Sequence, residues 1–132
     1  MLVAPAEPKQ FLELTSDNSF STTPEMYGGD FAFFPQGKVA IVQRKECSDL
    51  IASLRSDDRM STSMSKMTAA DRAAILFEGN WRWDKEGRSH HSKHKGQTGF
   101  LRSQFDGIVM AAQANGVFVL FSDSVTDSIR VL

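Results

Sequence analysis

Two short apolar runs joined by a tight turn constrain the fold of this chain more than any other feature. The runs occupy residues 31–34 and 39–42, and Pro-Gln-Gly-Lys connects them. Aromatic and β-branched residues bounded by proline and glycine are typical of a β-hairpin. Apolar residues then recur at helical spacing through residues 47–54, which predicts a helix directly after the second strand. The sequence therefore predicts a strand, turn, strand and helix in close succession.

Polar side chains cluster where these predicted strands begin and end. Asp30 precedes the first strand, and Gln43, Arg44 and Lys45 follow the apolar part of the second. Asp49 lies in the first turn of the predicted helix, where an acidic residue is also favoured by the helix dipole alone. Taken singly, Asp30 is an ordinary turn cap and Lys45 an ordinary edge charge. Their significance comes from their occurring together on one rigid frame.

The order of these residues resembles the signature of the XPF-type structure-specific endonucleases, which is Gly-Asp followed by Glu-Arg-Lys-x-x-x-Asp. Gly29 and Asp30 match the first pair, and residues 43–49 match the second, with Gln43 in place of the glutamate. The resemblance implies an α/β fold of the restriction-endonuclease-like class, a three-layer sandwich with a mixed central sheet flanked by helices. It divides the chain into a lead-in, residues 1–10, and a nuclease domain, residues 11–132, that begins with a strand at 11–14.

The same resemblance implies a metal-dependent endonuclease that cleaves branched DNA, such as flaps, forks or junctions, in repair or recombination. Mg²⁺ or Mn²⁺ would be the cofactor, because a divalent ion neutralises the phosphate and activates water and prefers hard oxygen ligands. The implied ligands are the Asp30 carboxylate, the Gln43 amide oxygen and the Arg44 backbone carbonyl. Asp17 is a further candidate, with an ordinary turn residue as the equal alternative.

The catalytic roles implied by the family fall on Asp30, Gln43, Lys45 and Asp49, with Lys45 orienting water or offsetting charge on the phosphate. Gln43 leaves the activity open, because an amide binds a metal ion without a net charge. Two unit charges 4 Å apart interact by about 4 kcal/mol at an effective dielectric of about 20. The chain is therefore a variant that still cuts, a natural pseudo-nuclease, or a nuclease silenced by an engineered substitution.

A different kind of function is also open for this chain. A catalytically dead subunit of the same fold would bind DNA or activate a partner without holding a metal ion. An α/β scaffold with no DNA role would show no salt-dependent affinity for DNA.

The second half of the chain contains a markedly basic segment that is the candidate for DNA contact. Residues 82–98 hold five lysines and arginines and three histidines, with Trp81 and Trp83 at the start. Cations pair with phosphates and aromatic rings stack on bases, whereas the alternative is a long solvated loop. Histidines without cysteine or a fourth ligand do not indicate a structural zinc site. The predicted DNA contacts are Arg44, Lys66, Arg82, Arg88, Lys93 and Lys95. For Arg44 the open roles are a phosphate contact, a structural ion pair, or both.

The remaining pattern predicts alternating helices and strands. Methionines at helical spacing between residues 60 and 67 indicate a packed helix, and residues 73–77 form a buried strand that ends at Glu78, a candidate for the rim of the site. A helix over 101–114 ends at the Asn-Gly pair that follows it. A strand at 117–121, buried on both faces, and a helix at 127–132 complete the chain.

Composition limits the partners and the compartment. The 132 residues carry a net charge of −1, so attraction to DNA must come from local patches. The single cysteine, Cys47, is predicted to lie in the core and indicates a reducing compartment. No apolar run has membrane-spanning length and no signal peptide is apparent, so we expect a cytoplasmic or nucleoid-associated protein, and a viral origin would suit so small a version. The resemblance implies branched DNA and a second nuclease domain, in a homodimer or heterodimer, as partners.

Overall fold

The computed structural model describes residues 1–13, 19–53, 59–91 and 94–132. The strands are β1 (Leu2–Val3), β2 (Ser19–Phe20), β3 (Phe31–Phe33), β4 (Ala40–Glu46), β5 (Arg72–Glu78), β6 (Arg82–Trp83), β7 (Arg88–His91), β8 (His94–Leu101) and β9 (Phe118–Ser122). The helices are α1 (Thr23–Met26), α2 (Cys47–Ser53), α3 (Arg59–Met67), α4 (Arg102–Ala114) and α5 (Val125–Val131).

Six strands form one mixed sheet in the order β2-β1-β3-β4-β5-β9. The predicted hairpin is confirmed, because β3 pairs antiparallel with β4, with Phe31 opposite Val42. Strand β5 then pairs parallel with β4, and β9 parallel with β5. Parallel neighbours need crossover connections, which α2 and α3 provide between β4 and β5. The carboxyl ends of β4, β5 and β9 consequently meet at one edge of the sheet.

The sheet separates two apolar layers, because successive strand side chains point to opposite faces. On one face Ile41, Ile75 and Phe77 pack with Leu50 of α2 and with residues of α3 and α4. On the other face Val42, Leu76 and their neighbours pack against α5 and against Phe11. Helices on both faces of a mixed sheet give the three-layer sandwich, so the predicted fold class is confirmed.

The beginning of the chain is more ordered than the sequence suggests. Leu2–Val3 forms β1, which lies between β2 and β3, and Val3 is completely buried. The expected loose lead-in is therefore wrong for these residues. The predicted strand at 11–14 is also wrong at its start, since Lys9–Phe11 is a short 3-10 helix whose Phe11 enters the core. Prolines near the start of the chain disfavour a strand there. Backbone pairing with β3 nevertheless orders Leu2–Val3 as a strand.

The basic segment is a small sheet rather than a long loop. Strands β6, β7 and β8 form a separate antiparallel sheet in that order. Trp81 and Trp83 stack on one another with ring centroids 5.5 Å apart, and Trp81 also contacts Phe100 and Phe105. The two tryptophans are therefore the packed side of this sheet, and the expectation that they stack on a DNA base is not supported by their position.

Strand β9 lies at the edge of the main sheet, although its apolar sequence predicted burial on both faces. Phe118 is 61% exposed and Phe121 is 57% exposed. The helix after it begins at Val125, two residues before the prediction. Among the described residues, no helix is long and apolar enough to cross a membrane.

Candidate active site at the carboxyl end of β4

Asp30 is held at the start of β3 by three hydrogen bonds. Its backbone N–H donates to the Val42 carbonyl at 2.9 Å, and its own carbonyl accepts from Ala4 N–H at 2.7 Å. Its side-chain Oδ2 accepts from the backbone N–H of Arg44 at 2.7 Å. A carboxylate anchored by a backbone donor on the neighbouring strand has little freedom to move. The structure therefore fixes the predicted principal acid beside residues 43–45.

Gln43 and Lys45 share one face of β4, because they alternate with Arg44 along the strand. This is the face of Ile41, on which α2, α3 and α4 pack. The Oε1 atom of Gln43 is buried and accepts no hydrogen bond from the described residues. The charge of Lys45 acts on Asp30 and lowers the pKa of its carboxyl, although burial has the larger, opposite effect. Asp30, Gln43 and Lys45 therefore form one polar cluster.

The Arg44 side chain lies on the opposite face of the sheet. Its Nε and one terminal nitrogen donate to the two oxygens of Glu78 at 2.8 Å and 2.5 Å, and its other terminal nitrogen donates to Glu7 at 3.1 Å. Its guanidinium carbon also lies 5.5 Å from the centre of the Phe11 ring. This side chain is only 10% exposed. Of the roles left open for Arg44, the structural ion pair is the one that the structure shows.

Glu78 does not line the rim of the candidate site. It is 4% exposed and belongs, with Arg44, to the face that packs against α5. Alternation along β5 explains the correction, because Phe77 takes the face of Gln43 and Lys45.

Glu7 is a charged residue of this region that sequence patterns did not reveal. Its carboxylate pairs with Arg44, and its side chain is 11% exposed. Burial, and to a smaller extent the nearby negative charge of Asp30, raise the pKa of Glu7 to about 7, while Arg44 opposes the shift. No local pattern could have found it, since its partner lies 37 positions away in the sequence.

The other predicted site residues take different positions. Asp49 lies in the first turn of α2 and is exposed. Lys66 of α3 is exposed and lies against Gly28, two residues before Asp30, where a β-carbon on the glycine would come within 3.0 Å of the lysine Cβ. Arg82 and Arg88 are exposed on the three-stranded sheet. Asp17 and Lys93 lie outside the described residues, as does the side chain of Lys95.

Cys47 is a core residue, as its position on the predicted helix indicated. It is completely buried at the junction of β4 and α2. Burial raises the pKa of its thiol to about 12, so it remains a thiol at neutral pH and is not a nucleophile.

The oxygen atoms of the cluster fit a hard divalent cation better than a soft one. Asp30 supplies a carboxylate, and Gln43 supplies a buried amide oxygen without a donor among the described residues. Because the N–H and C=O of one strand residue face the same neighbouring strand, the Arg44 carbonyl lies on the Asp30 side of β4. Magnesium is bound by one or two such carboxylates, with water and phosphate oxygens completing the octahedron. Among the described residues, no group of three acidic, histidine or cysteine side chains could hold a metal ion.

The glycine before Asp30 is required by the packing of β3 on β4. A β-carbon on Gly29 would overlap the Cγ2 atom of Ile41 and approach the Val42 carbonyl oxygen to 3.1 Å. We expect Gly29→Ala to lower the free energy of unfolding by about 1–3 kcal/mol, as overpacked cores do. The control is Gly107→Ala in α4, where nothing lies within 4 Å and helix propensity predicts a gain of about 1 kcal/mol. Urea unfolding of both variants checks this; an equal effect of the two would contradict it.

The buried acids predict a stability that falls as the pH rises. Burial raises the pKa of Asp30 to about 6 and that of Glu7 to about 7. The folded chain then holds protons that the unfolded chain releases at lower pH, so this contribution is complete below about pH 4 and is lost as the pH passes 6 and 7. Between pH 5 and pH 8 we expect a loss of about 1–3 kcal/mol per group.

Urea unfolding at both pH values measures this loss. Asp30→Asn and Glu7→Gln should each remove the part of the pH-dependent loss of stability that comes from the replaced acid. A parent chain that becomes more stable between pH 5 and pH 8 would contradict the prediction.

Comparison with known proteins agrees with this architecture. The chain is similar to XPF from Aeropyrum pernix, with a TM-score of 0.66 and 19% sequence identity over 98% of this chain and 59% of that one. It is also similar to XPF from Aeropyrum pernix in complex with DNA, with a TM-score of 0.62 and 18% identity over the same shares. The chain thus covers about three fifths of these proteins. A comparison with curated proteins finds no significant match.

The sheet order and the flanking helices define the fold of the XPF nuclease domain. The sequence match is to the ERCC4 domain over residues 7–132, so the chain belongs to the ERCC4 domain family. The predicted resemblance to this family is thereby confirmed.

Proposed function

We propose that this chain is the nuclease domain of a metal-dependent endonuclease that cleaves branched DNA. The proposal is carried by the Asp30 carboxylate, which accepts from the Arg44 N–H, together with the Gln43 oxygen on the adjoining strand β4, which is buried and has no donor among the described residues. An unpaired buried oxygen costs stability, and a cation or its water ligands would satisfy it. The ERCC4 domain family supplies the expectation of nuclease chemistry.

In this proposal Mg²⁺ or Mn²⁺ is held by Asp30, by the Gln43 amide oxygen and by the Arg44 carbonyl. A bound ion of this kind supplies an activated water and neutralises phosphate charge. Lys45 orients the attacking water or offsets negative charge on the phosphate, as a compact ammonium can. Asp49, in the first turn of α2, is proposed to act beside this site. Any role of Asp17 remains a prediction.

The proposed DNA contacts are the exposed cations on the side of the candidate site and on the small sheet. Lys66, which belongs to α3, lies beside Gly28. Arg82 belongs to β6 and Arg88 to β7. The similarity to an XPF structure in complex with DNA supports a nucleic acid as ligand. Lys93 and Lys95 remain predictions of the same kind. Repair or recombination intermediates are the branched DNA that a structure-specific nuclease would meet.

We also propose that two nuclease domains pair, as a homodimer or a heterodimer. Edge strands that expose apolar residues are templates for association. The support in this chain is the edge strand β9, with Phe118 and Phe121 largely exposed. Sedimentation of the parent and of Phe118→Ser tests the homodimer. A concentration-dependent dimer that the substitution weakens is expected, and a monomer at all concentrations would overturn pairing as a homodimer.

The experiment for the function compares cleavage of labelled flap, fork, four-way junction and linear duplex DNA with Mg²⁺ or Mn²⁺. We expect cuts near the branch and none in the linear duplex, and we expect Asp30→Asn to abolish them. The alternative function, a catalytically dead DNA-binding or partner-activating subunit, predicts binding to branched DNA without cutting by the parent or by Gln43→Glu. Absence of both binding and cutting would overturn the nuclease and the DNA-binding subunit together.

A further inference from the structure

A chain of buried polar groups connects the last helix to β4 on the face opposite Gln43. Ser122 and Ser128 hydroxyl oxygens lie 2.7 Å apart, and the Ser128 hydroxyl also donates to Oε2 of Glu78. Ser128 is completely buried, and Glu78 and Ser122 are each 4% exposed. Both oxygens of Glu78 accept from Arg44. Every link in this chain is shielded from water, so the geometry of each group depends on the next.

Arg44 connects this buried chain to the candidate site. Its guanidinium forms two hydrogen bonds with the Glu78 carboxylate. Its backbone N–H donates to the Asp30 carboxylate at 2.7 Å. A planar guanidinium bound by two parallel hydrogen bonds has a defined orientation as well as a favourable energy. Fixing this side chain therefore restricts the peptide unit to which Asp30 is anchored.

We propose that Glu78 and Ser128 are positioning residues, which act through Arg44 to hold the Asp30 carboxylate in place for metal binding. The metal-binding part of this inference rests on the proposed function, whereas the positioning of Asp30 does not. Helix α5 thereby takes part in the site without contacting it. A buried ion pair that served stability alone would gain nothing from this location, because apolar residues of the same volume are often at least as stabilising.

The test uses Ser128→Ala and Glu78→Gln, with Ile129→Ala as the matched control. Ile129 packs from α5 against the same apolar layer, so its truncation loosens the helix without removing a bond to Glu78. Hydrogen exchange of the backbone amides, followed by NMR, reports on the Arg44 N–H directly. We expect both test variants to speed Arg44 exchange about tenfold relative to the other β4 amides, the effect of one lost hydrogen bond to a charged group.

Mn²⁺ affinity, measured by calorimetry, should fall about tenfold in the same two variants and remain unchanged in Ile129→Ala. If the exchange rate of the Arg44 amide rises by the same factor as that of the other β4 amides in all three variants, the buried chain is structural only and the positioning role is overturned. If the parent binds no Mn²⁺, the proposed function fails while the exchange result still decides whether Glu78 and Ser128 position Asp30. If Glu78→Gln does not fold, Ser128→Ala alone still tests the proposal.

Discussion

Replacing Gln43 with glutamate should strengthen Mn²⁺ binding by about a hundredfold and raise the rate of DNA cleavage by a similar factor at limiting metal. The substitution adds a negative charge at a side-chain oxygen that is buried and lacks a donor among the described residues. At about 4 Å and an effective dielectric of about 20, a unit charge pair contributes about 4 kcal/mol. Desolvation of the new carboxylate offsets part of this gain.

The matched control for this prediction is Gln113→Glu, which makes the same charge change on the exposed surface of α4. Metal titration and cleavage of a flap substrate measure the effect. The metal-free Gln43→Glu variant should also be less stable than the parent, because the new carboxylate adds to the charge near Asp30, and Mn²⁺ should reverse that loss. Equal metal affinities of the two variants would contradict the assignment of Gln43 to the site.

Arg44→Met is expected to lower the free energy of unfolding by about 3–5 kcal/mol. The substitution leaves Glu7 and Glu78 buried without the guanidinium that pairs with both, and an uncompensated buried charge has a cost of that order. Urea unfolding at pH 8 measures it, because Glu7, with a pKa of about 7, is then mostly ionised in the parent.

Two further variants separate the buried ion pair from a general loss of charge. Arg72→Met removes an exposed arginine at the start of β5 and should change stability by about 0.5 kcal/mol or less. Combining Arg44→Met with Glu78→Leu should recover only the part of the loss that comes from Glu78, because Glu7 still lacks its partner. A cost for Arg44→Met no larger than that for Arg72→Met would show that the pair does not stabilise the fold.

The hairpin and the buried strand β5 could be predicted because they are short, continuous apolar runs, and α2 because its apolar residues recur at helical spacing. The period of two also determines the side-chain faces of β4, and it places Arg44 opposite Gln43 and Lys45. The family motif alone does not distinguish these faces, since it lists the three residues as neighbours. From the sequence, a phosphate contact, a structural ion pair, or both were therefore open for Arg44, and the ion pair depends on the position of Glu78.

The remaining features had weak or no local signals. Strands β7 and β8 are rich in histidine, lysine and glycine and lack an alternating apolar pattern, so the segment is typical of a loop. Strand β1 has only two residues and depends on pairing with β3. Glu7 acquires its role from Arg44, through a contact that only the tertiary fold creates.

Calorimetric titration of the parent and of Asp30→Asn with MnCl₂ tests the central claim most directly. At pH 8 the parent should bind Mn²⁺ at a single site, and Asp30→Asn should weaken that binding at least about tenfold, since a charge-assisted ligand is lost. The variant should remain folded, because it replaces a buried acid by a neutral group of the same shape. Equal Mn²⁺ binding by the two proteins, or none by the parent and by Gln43→Glu, would contradict a metal site at Asp30.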